Sequence, residues 1–423
     1  MIHRRSLAFC LFLLLSTFPA ARSQELPAAK PEDVGMSSEK LSRVTAAMKK
    51  LVDDKQVAGA TTIVARRGKI VYFESVGNRD LEADKPMQRD SILRFYSMTK
   101  PIASTAVMML VEEGKIELDA PVSKYLSEFK NLKVFTKATE NAFESEAAKR
   151  EPTVRDLLRH TSGLTYGLFG ATAVDQMYTK AQVLDVQSSL AVMTKKIGDM
   201  PLLYQPGTKW NYSVSVDVLG RIVEVVSAKP FDEFLADRIL RPLDMKDTGF
   251  FVPPEKVDRF TAVYGANSEG GLRATDKPDS SPFRFKPELL SGGGGSVSTA
   301  RDYMRFCQMI SGGGQLNGKR LLRAETVAEM TKDQLPKEAF PIAFGPIRRE
   351  GVGFGLGFSV LVSTNEFTGA ARVGEYGWGG AASTHFWLSP KDELVVIALQ
   401  QFMPFTMRLE QTIKPLVYDA IVN

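Results

Sequence analysis

Strand patterns occupy both ends of this 423-residue chain, whereas helical patterns fill the long middle part. Near the N-terminal end, the apolar runs Ala60–Ala65 and Ile70–Glu74 flank the turn Arg66-Arg67-Gly68-Lys69 and predict a hairpin. Near the C-terminal end, strand patterns follow over 355–362, roughly 384–388 and 393–401. Strands at opposite ends with helices between them predict one sheet assembled from both termini, an α+β fold rather than an alternating βαβ fold.

Helical segments between the strands divide the chain into candidate domains. Helices are expected over 38–51, 98–113, 216–226, 231–240, 301–310 and about 405–422. Capping boxes at Thr153-x-x-Asp156 and Thr299-x-x-Asp302 mark two helix starts. We therefore predict a sheet domain formed by residues 24–95 and 270–423, and a mainly helical domain formed by residues 96–269.

The N-terminal segment has the pattern of an export signal rather than of a folded element. Arg4 and Arg5 precede an unbroken apolar run from Leu7 to Leu15, and Ala21-Arg22-Ser23 supplies small residues for a cleavage site. The run is too short to span a bilayer, so we predict a cleaved signal peptide over residues 1–23 and no stable membrane span afterwards. The alternative is an uncleaved anchor. Export would place the mature protein in the periplasm or outside the cell.

Composition excludes several classes of function. Hydrophobic residues make up 44% and charged residues 24%, and the net charge of +5 falls to +2 when signal cleavage removes three arginines. Such a weak excess, without a clustered basic stripe, argues against nucleic-acid binding. No H-E-x-x-H motif or Cys/His cluster is present, so we predict neither a metal nor a cofactor. Cleavage leaves Cys307 alone, which rules out an intrachain disulfide, and its helical surroundings predict a buried, inert thiol.

The tetrapeptide Ser97-Met98-Thr99-Lys100 is the strongest candidate for catalysis. A serine and a lysine three residues apart at a helix start lie on the same face, within side-chain reach. The helix start also presents N–H groups and a positive dipole end, which favour the oxyanion formed when the serine attacks a carbonyl carbon. The same field, together with burial, disfavours a protonated lysine, so Lys100 could act as the base. A second copy of the pattern, Ser37-Ser38-Glu39-Lys40, fits a helix cap with solvated charges.

Two later segments offer the remaining parts of such a site. Tyr212 precedes a helix, and a phenol aimed at a serine–lysine pair can pass a proton to the leaving group. The segment Trp378-Gly379-Gly380-Ala381 leads into a strand, and its glycines let a substrate approach the backbone closely. The Ala381 N–H could complete an oxyanion pair with that of Ser97. The alternatives are an ordinary amphipathic tyrosine at a helix entry, and a bulge or bend in a strand.

Histidine chemistry is restricted to two residues of the mature chain. No G-x-S-x-G motif occurs, and a Ser-His-Asp triad would need His160 or His385. At the end of the helix 153–159, a partly positive His160 would meet the negative dipole end, which predicts a structural role. His385 lies near the glycine pair and could contact a substrate, but one histidine on a strand is more often packed. We leave His385 out of the catalytic set, and its role stays open.

The order of these segments resembles that of the penicillin-recognising serine hydrolases, above all the class C β-lactamase-related carboxylesterases, also called family VIII esterases. The resemblance runs from about Val34 to the end of the chain. It rests on Ser97-x-x-Lys100, then Tyr212 before a helix, then Trp378-Gly379-Gly380 at a late strand. Three further segments support it, namely His160-Thr-Ser-Gly-Leu164, the segment 242–248 and the glycine-rich stretch 291–296, which by itself predicts only a flexible hinge or turn.

The resemblance implies a fold and a set of roles. The fold is a mainly antiparallel sheet flanked by helices, with a helical domain beside it and the site in the cleft between them. Ser97 would be the acylated nucleophile, and Lys100 and Tyr212 the coupled base and acid. Trp378-Gly379-Gly380 would form the strand wall of the pocket.

Two departures from the family pattern bear on the substrate. Val214 stands where β-lactamases of this family have the Asn of Tyr-x-Asn, and Trp378-Gly379-Gly380 stands where they have Lys-Thr-Gly. The missing lysine removes a cation suited to a substrate carboxylate, and both changes make the cleft more apolar. We therefore expect a small neutral ester as the substrate. A β-lactamase or D-amino-acid peptidase on the same site is the alternative, followed by a non-catalytic penicillin-binding-like protein. Acyl chain length, alcohol group, stereopreference and oligomeric state stay open.

Overall fold

An eight-stranded antiparallel sheet forms the centre of this computed structural model, which describes residues 25–139 and 143–422. The strands are β1 (Gly59–Arg66), β2 (Lys69–Asp80), β3 (Lys85–Pro86), β4 (Leu93–Tyr96), β5 (Lys133–Ala138), β6 (Phe143–Ala147), β7 (Val263–Ala266), β8 (Leu272–Asp276), β9 (Ser296–Ser298), β10 (Gln315–Leu316), β11 (Lys319–Arg320), β12 (Ala343–Phe344), β13 (Ile347–Arg348), β14 (Val352–Phe354), β15 (Ser359–Leu361), β16 (Tyr376–Gly380), β17 (Thr384–Ser389) and β18 (Leu394–Leu399). The helices are α1 (Ser38–Asp53), α2 (Thr99–Glu112), α3 (Val154–Leu158), α4 (Ala173–Lys180), α5 (Leu190–Gly198), α6 (Ser215–Ser227), α7 (Phe231–Leu235), α8 (Ala300–Ser311), α9 (Ala324–Met330) and α10 (Arg408–Asp419).

The central sheet joins the two ends of the chain. Its strand order is β14-β15-β16-β17-β18-β1-β2-β3, so the N-terminal hairpin pairs with the last strand. In this pairing Ile63 of β1 lies opposite Ile397 of β18. The predicted α+β fold, with a mainly antiparallel sheet flanked by helices, is confirmed.

Two layers of helices cover the faces of the sheet. Val64 and Val396 point to one face, where they share a core with Leu41 of α1 and Ile413 of α10. Alternate residues of the same strands belong to a larger core that contains α2 and α8 and continues into the helical middle of the chain. Because β18 is covered on both faces, all six of its residues are buried, which explains its unbroken apolar sequence.

The N-terminal hairpin turns more tightly than the four-residue turn predicted for it. Arg66 pairs directly with Lys69, which leaves Arg67 and Gly68 as the two turn residues. Both have left-handed backbone, with φ of 50° and 72°. Two consecutive left-handed residues form the type of turn whose twist matches that of paired strands, and glycine adopts it without strain.

The single strand predicted over 355–362 is wrong. The chain forms a hairpin there, with β14 and β15 joined by residues 355–358. The turn packs against its neighbours so closely that a methyl group on Gly355 would lie 2.1 Å from the Met330 carbonyl oxygen. A side chain cannot be accommodated at that distance, so glycine allows the contact and interrupts the strand.

Only half of the capping box predicted at Thr299-x-x-Asp302 forms. The Thr299 side chain accepts a hydrogen bond from the Asp302 N–H and caps α8. The Asp302 carboxylate turns away and accepts instead from the Asp247 N–H at 2.7 Å and from the Thr248 hydroxyl at 3.0 Å. A tertiary contact therefore replaces the reciprocal local one. The capping box at Thr153 and Asp156 is complete.

The predicted division into domains stays a prediction. One continuous hydrophobic core joins the sheet to the helical region 96–269. That region also contains the small hairpin β5–β6, whereas the hairpin β7–β8 crosses the predicted boundary at residue 269, with β7 before it and β8 after it. The terminal helix is shorter than the predicted 405–422.

The signal peptide predicted over 1–23 lies outside the described residues. Among the helices that are described, none has the length and apolar character needed to cross a membrane.

Candidate active site

Ser97 lies at a sharp change of direction between β4 and α2. The preceding residue, Tyr96, has a φ of 44°, a left-handed conformation that costs a bulky residue of order 1–3 kcal/mol. Its carbonyl oxygen accepts a hydrogen bond from the Thr99 hydroxyl at 2.6 Å. Behind this turn α2 is anchored by an apolar sequence whose residues from Thr99 to Leu110 are buried. The half-buried Ser97 is thus presented at the start of a fixed helix.

Lys100 lies beside Ser97, as the spacing predicts. Its Nζ is 3.3 Å from Ser97 Oγ, 3.2 Å from Tyr166 Oη and 2.6 Å from the Gly293 carbonyl oxygen. The carbonyl only accepts and therefore holds one N–H of the lysine. The two hydroxyls can donate or accept, so the contacts are compatible with a neutral amine as well as with an ammonium group. The side chain is only 1% exposed.

Tyr212 completes the arrangement around the serine. Its Oη donates to Ser97 Oγ at 2.7 Å, and its ring lies 4.4 Å from Lys100 Nζ. Tyr212 lies three residues before the start of α6, the helix that was predicted to follow it. Ser97 Oγ is consequently held between a phenol and an amine, the two groups predicted to exchange its proton.

Strand β16, predicted as the wall of the pocket, lies beside Tyr212 and the segment before Ser97. Trp378 is buried and packs against Tyr212, with ring centroids 5.6 Å apart. A methyl group on Gly380 would lie 2.2 Å from the Phe95 carbonyl oxygen, so the end of β16 touches the segment that leads into Ser97. Gly379 and Gly380 pair regularly with β17, which excludes the alternative of a bulge. The oxyanion pair formed by the Ser97 and Ala381 N–H groups stays a prediction.

The family model described as Beta-lactamase matches residues 44–413. This chain belongs to that family. Protein Rv1367c of Mycobacterium tuberculosis is 34% identical over 365 residues, which cover 85% of this chain and 89% of the relative. Esterase EstB of Burkholderia gladioli is 30% identical over 363 residues, 82% and 86% of the two chains. The solved structure of EstCE1, a hydrolase with promiscuous acyltransferase activity, has a TM-score of 0.75 at 25% identity and covers 90% of this chain and 98% of its own.

Three residues of this beta-lactamase-family site were not predicted from the sequence, namely Tyr166, Asp217 and Gly293. Tyr166 follows the His160–Leu164 segment, and burial, together with Asp217 and Tyr212, raises its pKa well above the usual value, so the phenol stays protonated. Gly293 belongs to the glycine-rich stretch, which forms a buried turn that binds Lys100 rather than a flexible hinge. Asp217 is an acidic residue inside the apolar pattern of α6. This departure from the pattern is the only sequence feature that could have identified it as a candidate site residue.

His160 has a structural role, but not the one expected from its position. Burial and the charge of Lys100 lower its pKa well below the usual value, so the imidazole is neutral and the predicted interaction of a positive ring with the helix dipole is wrong. Nδ1 lies 3.2 Å from Ser213 Oγ, and the ring contacts Tyr212 at 5.0 Å between centroids. His160 therefore supports the loop that presents Tyr212.

His385 lies on the opposite face of the sheet from Ser97. It shares that face with Trp387, whereas Phe386 points to the core that contains α2. Nδ1 is 2.9 Å from Glu410 Oε2, and Nε2 is 3.0 Å from the Thr406 carbonyl oxygen. Both ring nitrogens thus contact groups of the C-terminal segment, and the geometry excludes a Ser97–His385 pair.

A buried ionic network continues from His385 through α10. Lys414 Nζ lies 2.8 Å from Glu410 and 2.5 Å from Glu375, which also accepts from the Tyr418 hydroxyl. Burial alone would raise the pKa of Glu410, but Lys414 and His385 hold it well below the usual range. Burial alone would lower the pKa of Lys414, but the two glutamates raise it. The network fixes α10 to the sheet behind β16.

Lys414→Met is expected to lower the free energy of unfolding by about 3–5 kcal/mol, because it removes the lysine that is paired with both buried glutamates. Urea unfolding followed by circular dichroism measures this change. Lys50→Met is the matched control, since Lys50 also pairs with an acid four residues away but is 75% exposed. The control should change the stability by less than about 0.5 kcal/mol. Equal losses in the two variants would contradict the assignment.

The prediction that Cys307 is a buried thiol is confirmed. It is a free, fully buried cysteine in α8, and burial raises the pKa of its thiol well above the usual value. A thiol that stays protonated and is closed to solvent is a poor nucleophile. Cys307 packs in the core and takes no part in the site.

Aromatic side chains surround the ring of Tyr212. The rings whose centroids lie within 6.0 Å of its own belong to His160, Tyr166, Phe169, Trp210, Phe344 and Trp378. Phe169 is 55% exposed and contacts both Tyr166 and Tyr212, so it lies at the edge of this cluster. Tyr212, and with it the hydroxyl that contacts Ser97, is thus held in an aromatic cluster.

Proposed function

We propose that this protein hydrolyses small carboxylic esters through an acyl-enzyme on Ser97. The observation that carries the proposal is the position of Ser97 Oγ, 2.7 Å from Tyr212 Oη and 3.3 Å from Lys100 Nζ. A serine becomes a nucleophile when a neighbouring group accepts its proton, and two such groups are within reach here. The description of EstB as an esterase and that of EstCE1 as a hydrolase with promiscuous acyltransferase activity agree with this chemistry.

The first half of the reaction forms the acyl-enzyme. Ser97 Oγ attacks the ester carbonyl carbon while its proton passes to the Lys100–Tyr212 pair. The resulting oxyanion accepts hydrogen bonds from the N–H groups of Ser97 and Ala381. The carbon–oxygen bond to the alcohol then breaks, and the Tyr212 hydroxyl gives a proton to the leaving alkoxide.

The second half releases the acid and restores the serine. A water molecule attacks the acyl carbon and gives its proton to the same pair, and the second tetrahedral intermediate expels Ser97. The pair returns the proton to Ser97 Oγ, so one water is consumed for each ester cleaved. No group outside Ser97, Lys100 and Tyr212 has to change its net protonation.

The walls of the site favour neutral esters over β-lactams. Trp378 supplies an indole where a lysine would bind a substrate carboxylate, and Val214 is fully buried and offers no amide. Binding an anionic penicillin would therefore leave its carboxylate among aromatic rings, an unfavourable transfer from water. A neutral ester carries no such charge.

Comparison of two chromogenic substrates tests the predicted preference for esters and distinguishes it from the β-lactamase and peptidase alternative. We expect kcat/KM for p-nitrophenyl butyrate to exceed that for nitrocefin by at least about 100-fold, the effect of one unpaired buried charge of about 3 kcal/mol. Faster turnover of nitrocefin would reverse the assignment. No turnover of either substrate, and no labelling of folded protein by a fluorophosphonate, would favour the non-catalytic alternative.

We also propose that the protein is exported and that the mature chain begins at Gln24. Support comes from the charged, apolar and small-residue pattern of residues 1–23. Intact mass of protein recovered from the periplasm or the medium tests the cleavage. A mass that retains residues 1–23 in membrane-bound protein would indicate the uncleaved anchor instead.

A further inference from the structure

Asp217 is a buried carboxyl group to which the reaction above gives no part. It lies in the first turn of α6, five residues after Tyr212, and is fully buried. A buried carboxylate is costly unless hydrogen bonds and an opposite charge compensate for the lost water. Its surroundings therefore show what it does.

The compensation comes from the glycine-rich turn. Asp217 Oδ1 accepts hydrogen bonds from the Ser291 hydroxyl and, at 3.0 Å, from the Gly293 N–H. The carbonyl oxygen of the same glycine accepts from Lys100 Nζ at 2.6 Å. Gly293 is thus held on one side by the carboxylate and on the other by the amine.

The close approach of this turn requires glycine. A methyl group on Gly293 would lie 2.3 Å from Asp217 Oδ2 and 2.8 Å from Tyr166 Oη. No hydrogen-bond partner of Oδ2 is found among the described residues. Oδ2 accordingly lies in the region next to the Tyr166 hydroxyl and Lys100.

Electrostatic interactions link the same groups. Burial raises the pKa of Asp217, while Lys100 and the hydrogen bonds from Ser291 and Gly293 oppose that rise. Asp217 also contributes to the raised pKa of Tyr166. A carboxylate at this place favours a bound proton on each of its neighbours.

We infer that Asp217 is a positioning residue for the Ser97–Lys100–Tyr212 group. It fixes Lys100 through the Gly293 turn, and its charge sets the pH at which the catalytic group takes up and releases its proton. The inference rests on the proposed esterase activity, because the protonation of that group is read from ester hydrolysis.

Two variants separate the charge of Asp217 from its hydrogen bonds. Asp217→Asn keeps an oxygen that can accept from Ser291 and Gly293 but removes the charge. We expect both limbs of the profile of kcat/KM against pH to move to lower pH by about one unit, because removal of a negative charge makes each nearby proton easier to lose. Ser291→Ala keeps the charge but loosens the turn, and we expect kcat to fall about 3- to 10-fold with unshifted limbs.

KM serves as a second readout, because Asp217 is fully buried and is linked to Lys100 through Gly293. In both variants KM for p-nitrophenyl butyrate should stay within about twofold of the wild-type value. Asp302→Asn is the matched control, since Asp302 is also a buried acid in the first turn of a helix, but its carboxylate makes its contacts with Asp247 and Thr248. Its pH profile should coincide with that of the wild type.

The outcomes distinguish this inference from the proposed function. Unshifted limbs in Asp217→Asn, together with an unchanged kcat in Ser291→Ala, would overturn the inference while the esterase activity stands. If the wild-type protein does not hydrolyse esters, both the inference about Asp217 and the proposed function are overturned. If Asp217→Asn does not fold, as judged by circular dichroism, the kcat of Ser291→Ala decides, and an unchanged value overturns the positioning role.

Discussion

Ser97→Ala is expected to reduce hydrolysis of p-nitrophenyl butyrate by at least about 10⁴-fold. The variant removes the oxygen that forms the covalent bond and leaves Lys100 and Tyr212 without an acceptor between them. The half-buried site should tolerate the smaller side chain, so circular dichroism and the urea midpoint should match those of the wild type. Initial rates on matched concentrations of the two proteins give the comparison.

The second Ser-x-x-Lys pattern in this chain provides the control for that experiment. Ser37 caps α1 by accepting a hydrogen bond from the Lys40 N–H at 3.2 Å. Ser37→Ala should leave ester hydrolysis unchanged and lower the free energy of unfolding by about 1 kcal/mol, the usual contribution of a helix cap. Retained activity in Ser97→Ala, or its loss in Ser37→Ala, would show that the wrong serine is assigned.

Tyr212→Phe is expected to lower kcat about 10²- to 10⁴-fold, the range for loss of a positioned proton donor. The ring contacts with Trp378 and Phe344 remain, so the variant isolates the hydroxyl that lies 2.7 Å from Ser97 Oγ. Both acylation and deacylation use that hydroxyl. Stopped-flow measurement of the p-nitrophenol burst and of the steady state should therefore show both rates reduced.

Tyr72→Phe is a suitable comparison for the tyrosine variant. The Tyr72 hydroxyl is hydrogen-bonded to Thr45 at 2.8 Å on the face of the sheet covered by α1, away from Ser97. Its loss should affect stability by about 1 kcal/mol and leave kcat unchanged. A Tyr212→Phe enzyme with wild-type kcat would remove the phenol from the mechanism and leave Lys100 to transfer both protons.

Local spacing explains why the serine and the lysine could be identified from the sequence. Residues three apart at a helix start share a face, and Ser97 and Lys100 obey that geometry without help from distant parts of the chain. The sheet was predictable for a similar reason, because apolar runs such as that of β18 signal strands covered on both faces. The placement of Tyr212 beside them depended on the resemblance to a known family, since no local rule joins residues so far apart.

Tertiary contacts account for what the sequence did not predict. Gly293 meets Asp217 across 76 positions and Lys100 across 193 positions, so neither contact leaves a periodic trace. The neutral state of His160 follows from burial and from Lys100, which cannot be inferred from its place at a helix end. The sequence predicts a turn at the glycine-rich stretch. The reason for glycine at position 293 is the close approach of Asp217 and Tyr166, which only the structure shows.

Mass spectrometry of the trapped intermediate tests the central claim most directly. The mature protein is mixed with p-nitrophenyl butyrate, quenched with acid within the burst phase, digested with a protease and mapped. We predict a butyryl group on the peptide that contains Ser97, located on that serine by fragmentation and absent from Ser97→Ala. A butyryl group on another residue, or a burst of product from folded protein without any acylated peptide, would contradict the account.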